Sequence, residues 1–531
     1  MTVKKLALML ATVGIATQAQ AAGTLIYCSE GSPAGFDPAQ YVTGTDFDAA
    51  AETVFNRLVQ FERGSTRVVP GLAEKWEVSP DGKTYTFHLR RGVAFHTTDY
   101  FKPTREFNAD DVVFTFERML DKNHPFNKAY RAEFPYFTDM GMDRNIAKVE
   151  KVDPNTVRFV LKKPEAAMLQ NLAMSFASIH SAEYAGQLLK SGKANQINTR
   201  PVGTGPFIFK RYQKDAQIRY AGNKQYWDKG ADGVKLDNLI FAINTDASVR
   251  VQKLKAGECH VAAYPKPADV AGLKSDKRLQ VMTQPGFNLG YITYNVKKPQ
   301  LAKLEVRQAL DMSVNKKAII DAVYQGSGQL ATNPMPPTQW SYNKNIKDAP
   351  YDVAKAKQLL AKAGYPNGFE MTLWAMPVQR PYNPNAKLMA EMLQSDWAKI
   401  GVKAKIVSYE WGEYIKRGKN GEHDVLLMGW TGDNGDPDNW LGTLLGCDAV
   451  DGNNYSKWCY KPFDDLIVKA RQTTDQAERT KYYLKAQEIF REQLPFTPVA
   501  HSTINLPASS KVQGFKVSPF ALHSFYGVSI K

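Results

Sequence analysis

Hydrophobic positions along this chain switch several times between a period of two and a period of three to four. Residues 23–28, Gly-Thr-Leu-Ile-Tyr-Cys, read as a first strand followed by the turn-rich residues 29–40. A helix is expected next, with Asp46 or Asp48 near its start and Ala49, Val54 and Leu58 among its apolar positions. Residues 72–90 alternate as two strands about the hairpin turn Pro80-Asp81-Gly82-Lys83. Asn108 opens a helix beginning Ala109-Asp110-Asp111, and residues 149–161 form a further β pair that turns at Asp153-Pro154-Asn155.

The second half reads differently. Strands are expected at 236–243 and 289–296, with helical spacing at 249–254. Residues 306–325 read as one long helix on Val306, Leu310, Val314, Ile319 and Val323. A helix at 351–363, starting near Asp352 and stopping at Gly364, precedes a strand at 371–375. A helix at 385–400, a strand at 402–407, a short helix at 412–417 and an apolar buried strand at 425–428 complete the series. That order predicts an α/β fold with a largely parallel sheet and helices on both faces.

Ligands of such sheets bind beyond the carboxyl ends of the strands. Two segments occupy that position. Gly429-Trp430-Thr431-Gly432-Asp433-Asn434-Gly435-Asp436-Pro437-Asp438-Asn439-Trp440 follows one strand, and Arg380-Pro381-Tyr382 comes a loop beyond another. Glycine admits close backbone approach, and an aspartate at a strand end can fix a cationic group. Asx-turn chemistry alone would also explain such a loop. Calcium is disfavoured, because Gly435, Pro437 and Trp440 break the alternation of ligand positions that Asp433, Asp436 and Asp438 would need.

Composition narrows the class. Lys4-Lys5, an apolar run from Leu6 to Ala16 and Ala19-Gln20-Ala21 follow the order of a secretory signal, so residues 1–21 are expected to be cleaved and the chain exported and soluble. The formal charge of +15 includes Lys4 and Lys5, and the remaining bases are scattered among 53 acids in runs of two at most. That pattern describes a dispersed positive surface and argues against nucleic acid as a partner. Cys28, Cys259, Cys447 and Cys459 are even in number and sparse, which in an oxidising compartment suggests two disulfides. A bridge from Cys447 to Cys459 could pin the polar loop between them, leaving Cys28 with Cys259; without a CxxC pair, zinc is the weaker reading. His88 and His96 lack a carboxylate or cysteine at ligand spacing and read as structural. Gly203-Thr204-Gly205 lacks the third glycine and the helix of a dinucleotide site and reads as a strand entry.

The Trp76-Glu77-x-Ser79-x-Asp81-Gly82-x-x-Tyr85-x-Phe87 pattern, residues 107–116, Gly203-Thr204-Gly205-Pro206-Phe207 and Val306-Arg307-Gln308-Ala309-Leu310 resemble the signature of family 5 extracytoplasmic solute-binding proteins. Residues 374–385 and 429–439 are similar to its dipeptide-binding members. The resemblance implies a two-lobed clamshell of the periplasmic-binding-protein type (class II, cluster C) with an accessory domain. Lobe I would comprise residues 22–57, 199–284 and 508–531, the accessory domain 58–198, and lobe II 285–507. It also implies the disulfides Cys28–Cys259 and Cys447–Cys459, a periplasmic location, no cofactor, a monomer, and an ABC importer's permease and ATPase as partners. Asp433 would hold a peptide α-ammonium and Arg380 its α-carboxylate. Pro381, Tyr382, Trp430, Thr431 and Gly432 would lie along the ligand, and Val42, Thr43 and Gly44 would face it from the other lobe. Position 42 being valine, any polar contact there would come from the main chain. Trp411 is the expected wall of a side-chain pocket.

A zwitterionic peptide needs a carboxylate at one end and a forked donor at the other, so the chemistry agrees with the resemblance. Longer peptides, haem or a metal complex on the same fold are the alternative ligands. A secreted hydrolase is the alternative class, but the chain has neither a Gly-x-Ser-x-Gly elbow nor a His-Glu-x-x-His helix.

Overall fold

The computed structural model describes residues 23–230 and 233–531, so the expected signal segment lies outside the described residues. Among these residues no helix is long and apolar enough to cross a membrane.

One mixed twelve-stranded sheet runs through most of the molecule. At one end Thr24–Ser29 pairs in parallel with Asn238–Ile243 and Val261–Ala262. At the other end Glu370–Trp374 lies between Lys403–Val407 and Val425–Thr431, parallel to both. The centre is antiparallel: Asn288–Tyr294 opposes both Val425–Thr431 and the long strand Phe496–Ser509. The expectation of a largely parallel sheet is therefore corrected. Asn288–Tyr294 enters directly from Leu279–Pro285 through Gly286 and Phe287 alone, so no crossover helix sets its direction.

Phe496–Ser509 joins the two ends. Its first part pairs with Asn288–Tyr294 and Gly328–Leu330, and its last part pairs with Leu279–Pro285 and Val261. Gly286 is required at the crossing, because a Cβ there would lie 2.3 Å from the Ser502 carbonyl oxygen.

Residues between the first strand and its partner strands build a separate antiparallel sheet of Ala73–Val78, Thr84–Leu89, Thr156–Leu161 and Ile146–Asp153. Tyr85, Phe87 and Leu89 alternate inward with Val157, Phe159 and Leu161, as period-two patterning requires. The helix Ala109–Leu120 closes this core and begins with a reciprocal Asn108–Asp111 capping box. Fully buried Arg118 donates to both oxygens of Asp37 at 2.6 and 2.8 Å, and His180 joins them at 3.1 Å. Burial alone would raise the Asp37 carboxyl, but Arg118 and His180 outweigh it and hold the group well below its ordinary value.

The helix expected over 306–325 is interrupted. Leu304–Met312 ends before Asn315, which caps Lys316–Ile319, and a π-helical turn at Ile320–Tyr324 follows. The cause is local: the Asn315 side chain accepts the Ala318 N–H at 3.1 Å, and Asp396 accepts the Asn315 N–H at 2.9 Å. By contrast Val353–Lys362 starts at its Asp352 cap and gives way to Gly364 at φ +91°. Gly203 and Gly205 pack on the Val54 backbone just before the strand Phe207–Gln213, where any side chain would collide. Cys28 is bonded to Cys259 and Cys447 to Cys459, with Cα separations of 5.9 and 4.7 Å.

Candidate functional site

The apolar run beginning at Val425 is a central strand covered on both faces, and it extends to Thr431. There the Gly432 N–H donates to the Phe287 carbonyl at 2.8 Å. A Cβ at Gly432 would meet the Phe287 ring at 2.4 Å, so the close approach fixes glycine at this point. The chain then turns through stacked Asx contacts. Asn434 Oδ1 accepts the Asp436 N–H and Asp436 Oδ1 accepts the Asp438 N–H, each at 3.0 Å, and the helix Asp438–Leu445 begins.

The three aspartates of this loop have different fates. Asp436 is gripped by both terminal nitrogens of Arg479 at 2.8 Å, and Asp438 accepts from Arg471 at 2.7 Å. Asp433 has no cationic partner among the described residues, and its buried Oδ2 accepts no hydrogen bond there. Burial pushes its carboxyl up to about 7, while hydrogen bonding with Tyr136 and Asn439 pulls the other way.

Arg380 follows Glu370–Trp374, the strand parallel to Val425–Thr431, so both charged groups stand beyond the same end of one sheet. Its turn is closed by reciprocal main-chain bonds with Asn383 at 3.1 Å. The turn is fastened by Ser502, whose hydroxyl donates to the Pro381 carbonyl, and by Tyr324, which donates to the Tyr382 carbonyl at 2.8 Å. Half-buried Arg380 lies 4.6 Å above the Trp411 ring, and Trp411 in turn stacks on Tyr414. No carboxylate pairs with this guanidinium among the described residues. The Tyr382 ring is buried over Gly429.

From the opposite side, Val42, Thr43 and Gly44 lead into the helix Gly44–Ala49. The Val42 side chain is 49% exposed. Thr43 donates its hydroxyl to Asp46 at 2.5 Å and its carbonyl accepts the Phe47 N–H at 3.2 Å, so the hydroxyl keeps its lone pairs as acceptors.

Two residues at the site escaped the sequence reading. Tyr136, on the short helix Pro135–Asp139, reaches Asp433 across the molecule and packs near Phe47 and Phe176. Asn439, at the second position of its helix, accepts from Trp430 Nε1 and from the Asp433 N–H, both at 3.0 Å. Tyr136 belongs to no hydrophobic period or spaced motif that would have marked it, and Asn439, though inside the 429–440 segment, carries no charge that would have set it apart from its neighbours. A second bond joins the same two parts of the chain, Asn434 donating to Asn171 at 2.9 Å. Among the described residues no group of three or more His, Cys, Asp or Glu side chains is gathered to hold a metal ion.

Residues 67–452 match the family model described as bacterial extracellular solute-binding proteins, family 5 Middle. Di/tripeptide-binding protein 1 of Pseudomonas aeruginosa (strain UCBPP-PA14) is 72% identical over 509 residues, covering 96% of this chain and 94% of that one. Heme-binding protein A of Haemophilus influenzae (strain ATCC 51907 / DSM 11121 / KW20 / Rd) is 50% identical over 507 residues, covering 96% of this chain and 92% of that one. The crystal structure of a dipeptide-binding protein from Pseudoalteromonas sp. SM9913 in complex with Met-Leu superposes with a TM-score of 0.89 at 41% identity, covering 96% of this chain and all of that one.

Proposed function

Because the chain belongs to the family 5 bacterial extracellular solute-binding proteins, we propose that it is a periplasmic, monomeric receptor for dipeptides and tripeptides. It would close on the peptide between two lobes and pass it to the permease and ATPase of an ABC importer. In this reading lobe I is 22–57, 199–284 and 508–531, the accessory domain is 58–198, and lobe II, 285–507, carries both charged ends of the site.

One observation carries the ligand class. Beyond the ends of two parallel strands stand one carboxylate and one guanidinium, each without an ion-pair partner among the described residues, while the neighbouring Asp436 and Asp438 are paired with arginines. Asp433 receives the α-ammonium on its bare oxygen, and Arg380 grips the α-carboxylate with its fork of donors. Two fixed charges measure the length of a zwitterion and leave its side chains loosely specified. Trp430, Thr431 and Gly432 run along the peptide, Pro381 and Tyr382 set the height of Arg380, and Trp411 backs the guanidinium. Val42, Thr43 and Gly44 close over the peptide through their main chain. Catalysis needs a nucleophile or an activated water, and the reading assigns neither.

Calorimetry tests the proposal with methionyl-leucine, its N-acetyl form and its C-terminal amide. Binding of the free dipeptide, and strong loss of binding for each blocked form, is expected. Equal binding of all three, or none, overturns the proposal. The relative named for haem supplies the competing ligand; haem that displaces the dipeptide with higher affinity would favour that reading instead.

A further inference from the structure

Asn439 is buried, and its single side-chain oxygen serves two N–H groups: the indole of Trp430 and the main chain of Asp433, each at 3.0 Å. An amide oxygen has two lone pairs, so this pair of donors uses both and fixes which way the amide points. With its oxygen on the Asp433 N–H, the amide lies beside Asp433, where it favours the ionised form of the carboxyl against the effect of burial. One side chain thereby ties the ring of Trp430 to the backbone of the loop at Asp433.

The identity of this neighbour matters. Asp436 and Asp438 are satisfied by arginines, and a carboxylate already paired with a buried cation has little to offer a ligand. Asp433 instead faces neutral donors only, Asn439 from its own lobe and Tyr136 from across the gap, with Asp139 further along the Tyr136 helix. A neutral donor steadies the ionised form without cancelling its charge.

We propose that Asn439 is the positioning residue of the amine end, holding Asp433 and Trp430 in register and presenting an oriented, uncancelled carboxylate to a primary ammonium. The proposal rests on Asp433 as the ammonium acceptor.

The test compares Asn439→Asp and Asn439→Ala with the wild type, titrating methionyl-leucine between about pH 5.5 and 8.5, with peptide-free melting curves as the control for folding. Asn439→Asp keeps an acceptor for both N–H groups but sets a second carboxylate against the first, and Asn439→Ala removes both hydrogen bonds. Both variants are expected to bind at least about tenfold more weakly at pH 7. In both, the pH at which affinity reaches half its plateau should move up, in Asn439→Asp by about one unit or more. Wild-type affinity and profile in the variants would overturn the proposal, and so would weaker binding on an unchanged pH profile, which marks a merely structural role. If Asn439→Asp does not fold, Asn439→Ala carries the same readouts. Equal binding of free and N-acetylated peptide by the wild type would overturn the Asp433 assignment itself, so the two failures are read on different proteins.

Discussion

Tyr382 and Gly429 interlock: a Cβ built on Gly429 would sit 2.0 Å from a ring carbon of Tyr382. A strand glycine and a ring of the turn itself thus set the depth at which the turn carries Arg380. Gly429→Ala must push that ring, and the Arg380 turn with it, out of place. Overpacking of this kind costs about 1–3 kcal/mol, to be read from urea unfolding. Dipeptide affinity should fall as well, since the guanidinium moves relative to Asp433; unchanged affinity would detach the Tyr382 turn from the site.

Removing either charge should cost binding about 2–5 kcal/mol, the range for one partner of a buried hydrogen-bonded charge pair. Asp433→Asn and Arg380→Met are the variants, read by calorimetry with methionyl-leucine. Peptide-free stability should separate the two from ordinary core damage. Asp433→Asn removes a carboxylate whose burial is uncompensated, so its melting temperature at pH 8 should equal or exceed that of the wild type.

Affinity should also fall with pH. The unliganded Asp433 carboxyl is pushed up to about 7 by burial, and an ammonium binds only the ionised form. Below that value each pH unit should weaken binding by up to about tenfold, with proton release on binding. Calorimetric enthalpies at pH 6.5 should therefore vary with the ionisation enthalpy of the buffer, and Asp433→Asn should abolish that variation.

Arg118→Met tests the buried ionic cluster of Asp37, Arg118 and His180. It strands Asp37 without its cation, at a cost of about 3–5 kcal/mol in unfolding free energy. The sign follows from linkage. Asp37 is held below its unfolded value, so its pairing stabilises the fold above the unfolded carboxyl pKa of about 3.9, and the contribution is lost as pH falls below that. An Arg118→Met protein as stable as the wild type at pH 7 would contradict this.

Much of this architecture was legible from residue order. Alternation at Tyr85, Phe87 and Leu89 marked its sheet, Asp352 and Gly364 marked a helix at both ends, and the apolar residues at 425–428 marked a strand covered on both faces. The break at Asn315 was not legible, because Val314 and Ile319 keep the helical period on either side of it. Nor was the antiparallel centre, since strand direction there depends on a two-residue crossing at Gly286 and Phe287 instead of on any pattern within the strand. Spacing placed the Asp433 loop beyond a strand end, but only the family resemblance singled out Asp433 among three aspartates. Arg479 and Arg471, which occupy the other two, arrive from some 30 to 40 positions away and leave no local trace. Tyr136 is remoter still, a single hydroxyl on the short helix Pro135–Asp139.

The long strand Phe496–Ser509 and the pair joined through Gly286 both pass from one end of the great sheet to the other. Two antiparallel ribbons side by side flex across their width far more readily than they shear or rotate about their length. In the proposed two-lobed receptor, opening would thus be steered along a single arc, like a leaf spring with one soft direction. Ser502 sits where this spring crosses and holds the Pro381 carbonyl, while the Arg380 turn rides directly on it. In the proposed receptor a load on the Arg380 guanidinium would therefore reach this crossing through Ser502 and the Pro381 carbonyl.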